Sequence, residues 1–413
     1  MRFPSINQYK NQIKMLQMQY DHLLYFQQQA ETGKKILHGS DDPMLADRIK
    51  SIQNHLSQLG HFDNNLSLAT NRQSQKEAAA DRALDLTARV QEIIQKAKNG
   101  TLSDSDRSSL AKELEGILNQ YDEIANSQDA NSEYIFSGLN IHNPAFRNEN
   151  GHFIYQGTAM GADIAIGLGL KVAYSESGEA IFVAIPTGNG TFTTKADASN
   201  TGTGIIGGGK VISYSDYIFD DYTISFVTNS SGNLAYQVTG VNGGQIIPAP
   251  PATVPDDAPD YLADTDIVFN GVSVEITGEP NPGDSFIIVP STKRSVFDNM
   301  TQLIDLLNQP TGTAQEKARL KQGLGELQEN FEQVYQNFIS FLQNVGNQGI
   351  IIDHQKNLSE ALQLDGQAFL KELSEADYGE VISNITQQNL ALQLTQKIYL
   401  QIQETRRLML MGN

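Results

Sequence analysis

The chain has 413 residues, a formal net charge of −19, and neither cysteine nor tryptophan. The missing cysteines exclude disulfides, thiolate metal ligands and a cysteine nucleophile. The negative charge argues against nucleic acid as a partner, because binding nucleic acid requires Lys and Arg to neutralise phosphates. No stretch is apolar over the length that spans a bilayer, so no membrane insertion is expected. The first residues also lack the apolar run of a cleavable signal peptide.

The first predicted helix covers residues 5–31 and ends near Gly33. Its apolar residues keep heptad spacing, which is typical of a helix that pairs with another helix. The predicted contacts with neighbouring subunits on this helix are Ile13, Leu16, Tyr20 and Leu23, followed by Ala30, with Gln27 in the same stripe. We expect segment 1–40 to be disordered in the free monomer and to pair with segment 377–413.

Residues 41–148 are predicted to be helical. Asp42 and Pro43 begin a helix as N-cap and first helical residue, and residues 103–106 cap a second one. The apolar stripe of the first helix supplies predicted core residues Leu45, Ile49, Ile52 and Leu56. This segment and residues 292–376 are expected to form one helical rod domain.

Residues 149–291 have a different pattern, in which polar and apolar residues alternate and Gly, Asn and Ser mark turns. Predicted strands include residues 153–155, 163–166, 180–183, 222–227, 267–269, 272–276 and 286–289. The proline-rich residues 248–260 are expected to form a surface loop. Residues 151–290 hold 15 Asp and Glu against three Lys. The sequence therefore predicts an acidic, β-rich domain inserted between helical segments.

Helix returns near Val296, and the clearest coiled-coil seam of the chain follows it. Spacings of four and three alternate through the predicted core residues Leu320, Leu324, Leu327, Phe331, Val334 and Phe338, and then through Phe341 and Val345. Such a helix needs a partner, and the apolar helices of residues 43–97 are the candidates. The expected fold class is α+β: an elongated antiparallel helical bundle or coiled-coil rod from both terminal segments, with an inserted β-rich domain.

The last predicted helix lies within residues 377–413 and is rich in glutamine. Its amphipathic stripe predicts subunit contacts at Val381, Ile385, Leu392 and Ile402, with Tyr399 in the same stripe.

No pattern in the sequence supports catalysis, a cofactor or a metal site. Residues 202–207 match the GxGxxG spelling, but a polar stretch precedes them and a strand-like stretch follows, whereas dinucleotide binding needs a strand and then a helix. Residues 204–210 approach a phosphate-binding loop, but Val211 stands where Ser or Thr would hold magnesium. The seven His lack ligand spacing. We therefore expect a protein that is not an enzyme.

Several blocks of the sequence, in this order, resemble the hook-associated protein 3 (FlgL) family within the flagellin-like axial proteins of bacteria. They are Arg2, residues 6–9, TGKKIL at 32–37, residues 40–43, YIFSG at 134–138, residues 143–146 and 155–157, GEPNPGDSF at 278–286, and DYGEVISNIT at 377–386. The blocks cover both helical ends, and the middle of the chain is less diagnostic.

The resemblance implies a structural adaptor between the flagellar hook and filament. Its expected partners are hook-associated protein 1, flagellin, copies of itself and a cytoplasmic export chaperone. It also implies export in an unfolded state and an extracellular location on the flagellum. Two other interpretations stay open at this point: a flagellin filament subunit, and a secreted adhesin whose β domain stands on a coiled-coil stalk.

Overall fold

The structure is a computed structural model that describes residues 4–100, 102–149 and 151–411. Arg2 and the outermost ends of the predicted terminal segments lie outside the described residues. The internal contacts divide the chain into two units. The terminal unit comprises Met1–Asn64 and His354–Asn413, and the central unit comprises Asn65–Asp353.

Long helices come from both ends of the chain, and the β-rich part is inserted between them, which confirms the predicted fold class. The helices are α1 (Pro4–Thr32), α2 (Pro43–Ala97), α3 (Asp104–Ala125), α4 (Val296–Leu307), α5 (Ala314–Ser374) and α6 (Tyr378–Met411). Helix α2 begins as expected at Pro43, with the Asp42 carboxylate accepting a hydrogen bond from Leu45 N at 3.0 Å. Ser103 and Asp106 form a reciprocal capping box at the start of α3.

The described residues of the middle of the chain contain short antiparallel strands. They are β1 (Phe146–Glu149), β2 (His152–Tyr155), β3 (Asp163–Gly167), β4 (Leu170–Ala173), β5 (Ile185–Pro186), β6 (Phe192–Ala196), β7 (Ile205–Ile206), β8 (Lys210–Val211), β9 (Tyr222–Thr228), β10 (Leu234–Gly240), β11 (Gly244–Ile247), β12 (Asp266–Phe269), β13 (Val272–Thr277), β14 (Ser285–Pro290) and β15 (Lys293–Arg294). A five-stranded sheet has the order β11-β10-β9-β14-β6, and a second sheet has the order β12-β13-β7, with β8 also on β13. The pairs β1–β2, β3–β4 and β5–β15 stand outside these sheets.

One predicted strand is wrong. Residues 180–183 fall in a single π-helical turn (Glu179–Val183). Its Ile181 and Phe182 are buried, and the Phe182 ring lies 5.6 Å from the Phe338 ring of α5. The apolar residues that suggested a strand are Ile181 and Phe182, which pack into the helical core instead. Tertiary packing thus overrides the local pattern of the sequence.

The central unit contains two separate large cores. The first combines α3, α4 and parts of α2 and α5 with irregular segments, and Phe146, Phe182 and Ile185 from the β-rich region join it. The second lies between the two sheets and draws only on residues 192–288. We name residues 187–292, which lie between the paired strands β5 and β15, the β-domain.

The seam of α5 lies in the first core. Leu324, Leu327, Phe331, Val334 and Phe338 are fully buried, and Leu320 is 9% exposed. Their neighbours in the same core include Val90, Ile93 and Ile94 of α2. This burial explains the regular spacing of the seam, because each side chain fills space between facing helices.

Two buried cations on α2 anchor irregular chain to the helices. The Arg72 guanidinium lies 3.2 Å from the Asp129 carboxylate and 3.0 Å from the Glu133 carboxylate. One turn later, Lys76 Nζ lies 2.9 Å from Glu176, and burial lowers the pKa of Lys76. Because a buried charge is costly without a partner, these pairs fix where the segments at 129–133 and 176 cross α2.

Candidate assembly surface

Helices α1 and α6 of the terminal unit lie against each other. Leu23 on α1 and Val381 on α6 are buried, while Ile13, Leu16, Ile385 and Leu392 are half-buried. The two remaining residues predicted to contact neighbouring subunits, Tyr20 and Ile402, are exposed. The eight predicted residues are therefore divided between the inner face of the helix pair and its outside.

The least exposed stripe of α1 differs in phase from the stripe read from the sequence. It runs through the buried Leu23 and the half-buried Gln12, Leu16, Gln19, Phe26 and Ala30, whereas Tyr20 is 53% exposed and Gln27 is exposed. A stripe through Leu16 and Leu23 accepts either Gln19 or Tyr20 between them, since both keep heptad spacing. Sequence reasoning chose the more apolar tyrosine and missed Phe26, which lies three residues beyond Leu23.

The two linkers of the terminal unit are hydrogen-bonded to each other. Lys35 N donates to Ser374 O at 2.8 Å, and Ala376 N donates to Gly33 O at 2.9 Å. Gly33 has a φ of +65° and ends α1. Asp377 then caps α6 by accepting hydrogen bonds from the backbone N–H groups of residues 379 and 380. The end of α1 and the start of α6 are thus held at one place.

Asp41 organises the linker between α1 and α2. Its carboxylate accepts hydrogen bonds from His38 N at 2.9 Å and Leu37 N at 3.1 Å, and Tyr25 OH of α1 lies 3.2 Å away as a further donor. The hydrogen bond from the His38 backbone, followed by that from Leu37, lowers the pKa of Asp41. The ionised carboxylate therefore favours this linker conformation.

Helix α6 carries a second apolar stripe that faces solvent. Leu390, Leu394 and Ile398 follow one another at intervals of four, and each is more than half exposed. Residues four apart lie on one face of a helix, and this face is not the one that holds Val381 and Leu392. Sequence reasoning missed this stripe because it followed the other one. The signal in the sequence was a series of apolar residues spaced four apart, with no spacing of three between them.

Further exposed apolar side chains lie on several faces of α1 and α5 within the terminal unit. We define the outer apolar surface as Leu390, Leu394 and Ile398 of α6, Met15, Met18 and Leu24 of α1, and Leu358, Leu362, Leu364 and Phe369 of α5. A shallow groove of about 770 Å³ between α2 and α5 includes Ile52, His55, Leu362 and Phe369. Exposed apolar patches of this kind mark sites of protein–protein contact.

The four predicted core residues at the start of α2 belong to this same unit. Leu45, Ile49, Ile52 and Leu56 are half-buried, and the Arg48 guanidinium stacks on the Phe369 ring at 5.3 Å. The fully buried seam residues of α5 belong to the other unit, the central one.

The glycine-rich motif at 202–207 has a structural role in the β-domain. Residues 205 and 206 form β7, and the next element is the strand β8. The Gly202 N–H donates to the buried Asp284 carboxylate at 2.9 Å, as does Thr201 N at 2.7 Å. These N–H groups are occupied by a carboxylate of the chain itself, so the loop lacks the arrangement that binds a dinucleotide.

Within the described residues, no three His, Asp or Glu side chains are grouped closely enough to hold a metal ion. Among the same residues, no helix combines the length and apolar character needed to cross a lipid bilayer.

Comparison with known proteins points to the flagellum. Residues 6–141 match the bacterial flagellin N-terminal helical region. The crystal structure of the flagellar junction protein FlgL from Legionella pneumophila is 31% identical, with a TM-score of 0.70, over 74% of this chain and 99% of that chain. FlgL from Xanthomonas campestris is 27% identical, with a TM-score of 0.70, over 78% of this chain and 99% of that chain.

Flagellar hook-associated protein 3 from Escherichia coli K12 is 28% identical over 201 residues, which is 49% of this chain. The matched region covers 62% of that relative, and the match to its Salmonella typhimurium counterpart, at 35% identity over 30% of this chain, covers 40%. The chain thus spans less than two thirds of the length of these two relatives.

Proposed function

The chain belongs to the flagellar hook-associated protein 3 (FlgL) family, and from this premise we propose that it is a structural, non-catalytic subunit that joins the flagellar hook to the filament. Hook-associated protein 1 would lie on its hook side and flagellin on its filament side. Copies of the chain would lie beside each other between these two partners.

The thin packing of the terminal unit carries this proposal. Among its described residues, only four apolar side chains are buried, namely Leu23, Leu59, Ala376 and Val381. The outer apolar surface adds ten large side chains that meet solvent. Helices with so little internal burial gain most of their stability from further partners. Neighbouring subunits would supply those partners.

Two kinds of contact are proposed within the assembly. The first is the set of contacts with neighbouring subunits predicted from the sequence, at Ile13, Leu16, Tyr20, Leu23, Val381, Ile385, Leu392 and Ile402, which would form as α1 and α6 order against each other. The outer apolar surface then meets neighbouring subunits. In this scheme segments 1–40 and 377–413 order together during assembly, since α1 and α6 lie against each other.

Export and location follow from the same scheme. The subunit would pass through the flagellar export apparatus unfolded, after a cytoplasmic chaperone has covered its apolar ends, and would act outside the cell. The absence of cysteine supports this route, because no disulfide would obstruct threading.

A junction role is favoured over that of a flagellin filament subunit. Two crystal structures from Legionella pneumophila, one described as FlgL and one as hook-associated protein 3, are 30–31% identical to this chain over nearly the whole of their own length. An adhesin would need a binding surface in the β-domain and would tolerate loss of the outer apolar surface.

The proposal is tested by replacing the chromosomal gene with variants. Leu394→Asp places a charge on the outer apolar surface, and Gln393→Asp adds the same charge at an exposed neighbour of α6. We expect Leu394→Asp to abolish motility and to release flagellin into the medium, while Gln393→Asp swims normally. Attached, full-length filaments in cells that lack the gene would reject the junction role.

Folding on assembly is tested separately on the purified monomer. Limited proteolysis should cleave the first ~35 and last ~30 residues before the central unit, because weakly packed ends open most readily. Equal protection of both ends and the central unit in dilute monomer would contradict this part of the proposal.

A further inference from the structure

Helix α5 has a second seam beside its apolar one, and this seam is polar. It runs through Gln315, Arg319, Gln322, Glu326, Glu329 and Gln333, at alternating spacings of four and three. This polar seam faces the β-domain, and its Glu326 also contacts Arg294 of strand β15. Helix α5 therefore packs against other helices through its apolar seam and against the β-rich region through its polar seam.

The direct hydrogen bonds of this seam reach the backbone of the β-domain. Gln322 Oε1 accepts a hydrogen bond from Ile206 N at 2.9 Å, and Arg319 donates to Ala198 O at 2.8 Å. Beside the seam, Asn330 Oδ1 accepts one from Gly188 N at 2.7 Å. Since these contacts are polar and the two cores are separate, the β-domain can leave α5 without opening either core.

Glu329 occupies the middle of the seam and is half-buried there. Its carboxylate lies against Gly208, where a Cβ atom would overlap it. Beside it is a cavity of about 340 Å³, lined by Lys98, Thr194, Gly207 and Gly208 together with residues of α5. The carboxyl group is therefore held between α5 and a glycine backbone that offers it no charge.

The charged groups near Glu329 come from outside the β-domain. Lys98, which follows the end of α2, favours its ionised form, and Glu326 of α5 disfavours it. Lys321 lines the same cavity, and Arg294 lies 3.6 Å from Glu326. Among the described residues, the cavity lining from the β-domain consists of Thr194, Ile205, Ile206, Gly207, Gly208 and Thr277, which carry no charge.

We propose that the β-domain docks on α5 through a proton-dependent contact, in which docking buries the Glu329 carboxyl against Gly208 and is favoured by the neutral form of that side chain over the ionised form. Burial raises the pKa of Glu329 from 4.5 to about 7, and the attraction of Lys98 only partly opposes this effect. Docking is therefore strongest below about pH 4.5 and weakens as the pH rises from there to about 7.

Two amides report directly on docking. The N–H groups of Gly188 and Ile206 donate to α5 side chains, so their hydrogen exchange is slow only while the β-domain is docked. The amide of Ile224 in β9, inside the five-stranded sheet, serves as the internal control. The experiment compares the full chain at pH 5.5 and pH 8.5, with exchange rates corrected for the intrinsic effect of pH.

We expect the protection of Gly188 and Ile206 to fall between pH 5.5 and 8.5 by about tenfold or more, with an upper bound of roughly 30-fold set by the interval from pH 5.5 to a pKa of about 7. Ile224 should keep its protection. Glu329→Gln should remove the fall, because its amide stays neutral at both pH values. Glu326→Gln, one turn away, should retain it.

Lys98→Met provides an independent check. Removing the cation that favours the ionised carboxylate should move the loss of protection to higher pH. Three results would each overturn the proposal. The first is protection of Gly188 and Ile206 that does not depend on pH in the unmodified protein, and the second is the same loss of protection in Glu329→Gln. The third is a loss of protection in Lys98→Met over the same pH range as in the unmodified protein.

Discussion

Leu327 and Leu392 are both leucines at heptad positions of long helices, yet Leu327 is fully buried and Leu392 keeps part of its surface in solvent. The difference lies in the number of partners. Leu327 belongs to a core that combines α2, α3, α4 and irregular chain, whereas Leu392 lies on α6, which pairs with α1, and belongs to none of the buried apolar clusters of the described residues. Equal periodicity in sequence thus produces complete burial in the central unit and partial burial in the terminal unit.

A heptad stripe therefore predicts that a helix will pack against other helices, but it does not predict how many helices the chain provides for that packing. In the central unit the chain supplies all of them. In the terminal unit many large apolar side chains stay exposed, among them Leu390 and Leu394. An incomplete set of partners within one chain is what a subunit of a larger assembly needs.

Phe338→Ala should have the largest effect on stability. The ring is fully buried and lies 6.2 Å from the Tyr121 ring, and its loss leaves a cavity in the first core. We expect the free energy of unfolding of the central unit to fall by about 3–5 kcal/mol, measured by urea denaturation. A loss below ~1 kcal/mol would contradict this prediction, because it would mean that the first core closes around the missing ring.

Arg72→Ala should come next. It leaves the Asp129 and Glu133 carboxylates without their cation, and we expect a loss of about 2–4 kcal/mol, since both carboxylates retain some contact with water. Arg89→Ala is the matched control, because Arg89 also contacts two carboxylates, those of Glu92 and Glu113, but is half exposed. The control should cost no more than ~1 kcal/mol. Equal losses would contradict the role assigned to burial.

Leu23→Ala should have a smaller and local effect. Leu23 is buried in α1, so its truncation should lower the opening free energy of α1 and α6 amides by about 1–2 kcal/mol. The urea midpoint of the central unit should not move. Hydrogen exchange followed along the chain measures both, and a coincident loss in the central unit would show that the two units unfold together.

Asp41→Asn should have the smallest effect and should depend on pH. Because backbone hydrogen bonds lower the pKa of Asp41 in the folded chain, its contribution is present above its unfolded pKa and is lost as the pH falls through the folded value. The amides of Leu37 and His38 should lose protection below about pH 4 in the unmodified protein. In Asp41→Asn these amides should be weakly protected at every pH. If the loss of protection in acid persists in this variant, it is caused by the titration of another group.

Much of the helical architecture was predictable because its signals are local. Pro43 with Asp42 marks the start of α2, Ser103 with Asp106 marks the start of α3, and the alternating spacing from Leu320 onward marks the seam of α5. The strands β9, β12, β13 and β14 were also predictable from alternation and flanking turns.

The register between helices was not predictable in this way. Gln73 Nε2 donates to Val345 O, and Gln91 Nε2 donates to Glu332 at 3.2 Å, so these positions of α2 and α5 face each other. Heptads repeat along both helices, and a shift by one heptad preserves the apolar pattern. The caps and connecting segments at the helix ends select among these registers.

Local signals along the chain specify where helices begin, which positions prefer burial, and that the two ends of the chain differ from its middle. Packing between elements is needed to place Gln19 rather than Tyr20 inward on α1, to turn residues 180–183 into a helical core, and to bring Glu329 against Gly208. Periodicity describes a single element, whereas burial, charge environment and pKa depend on the surfaces that other elements bring against it.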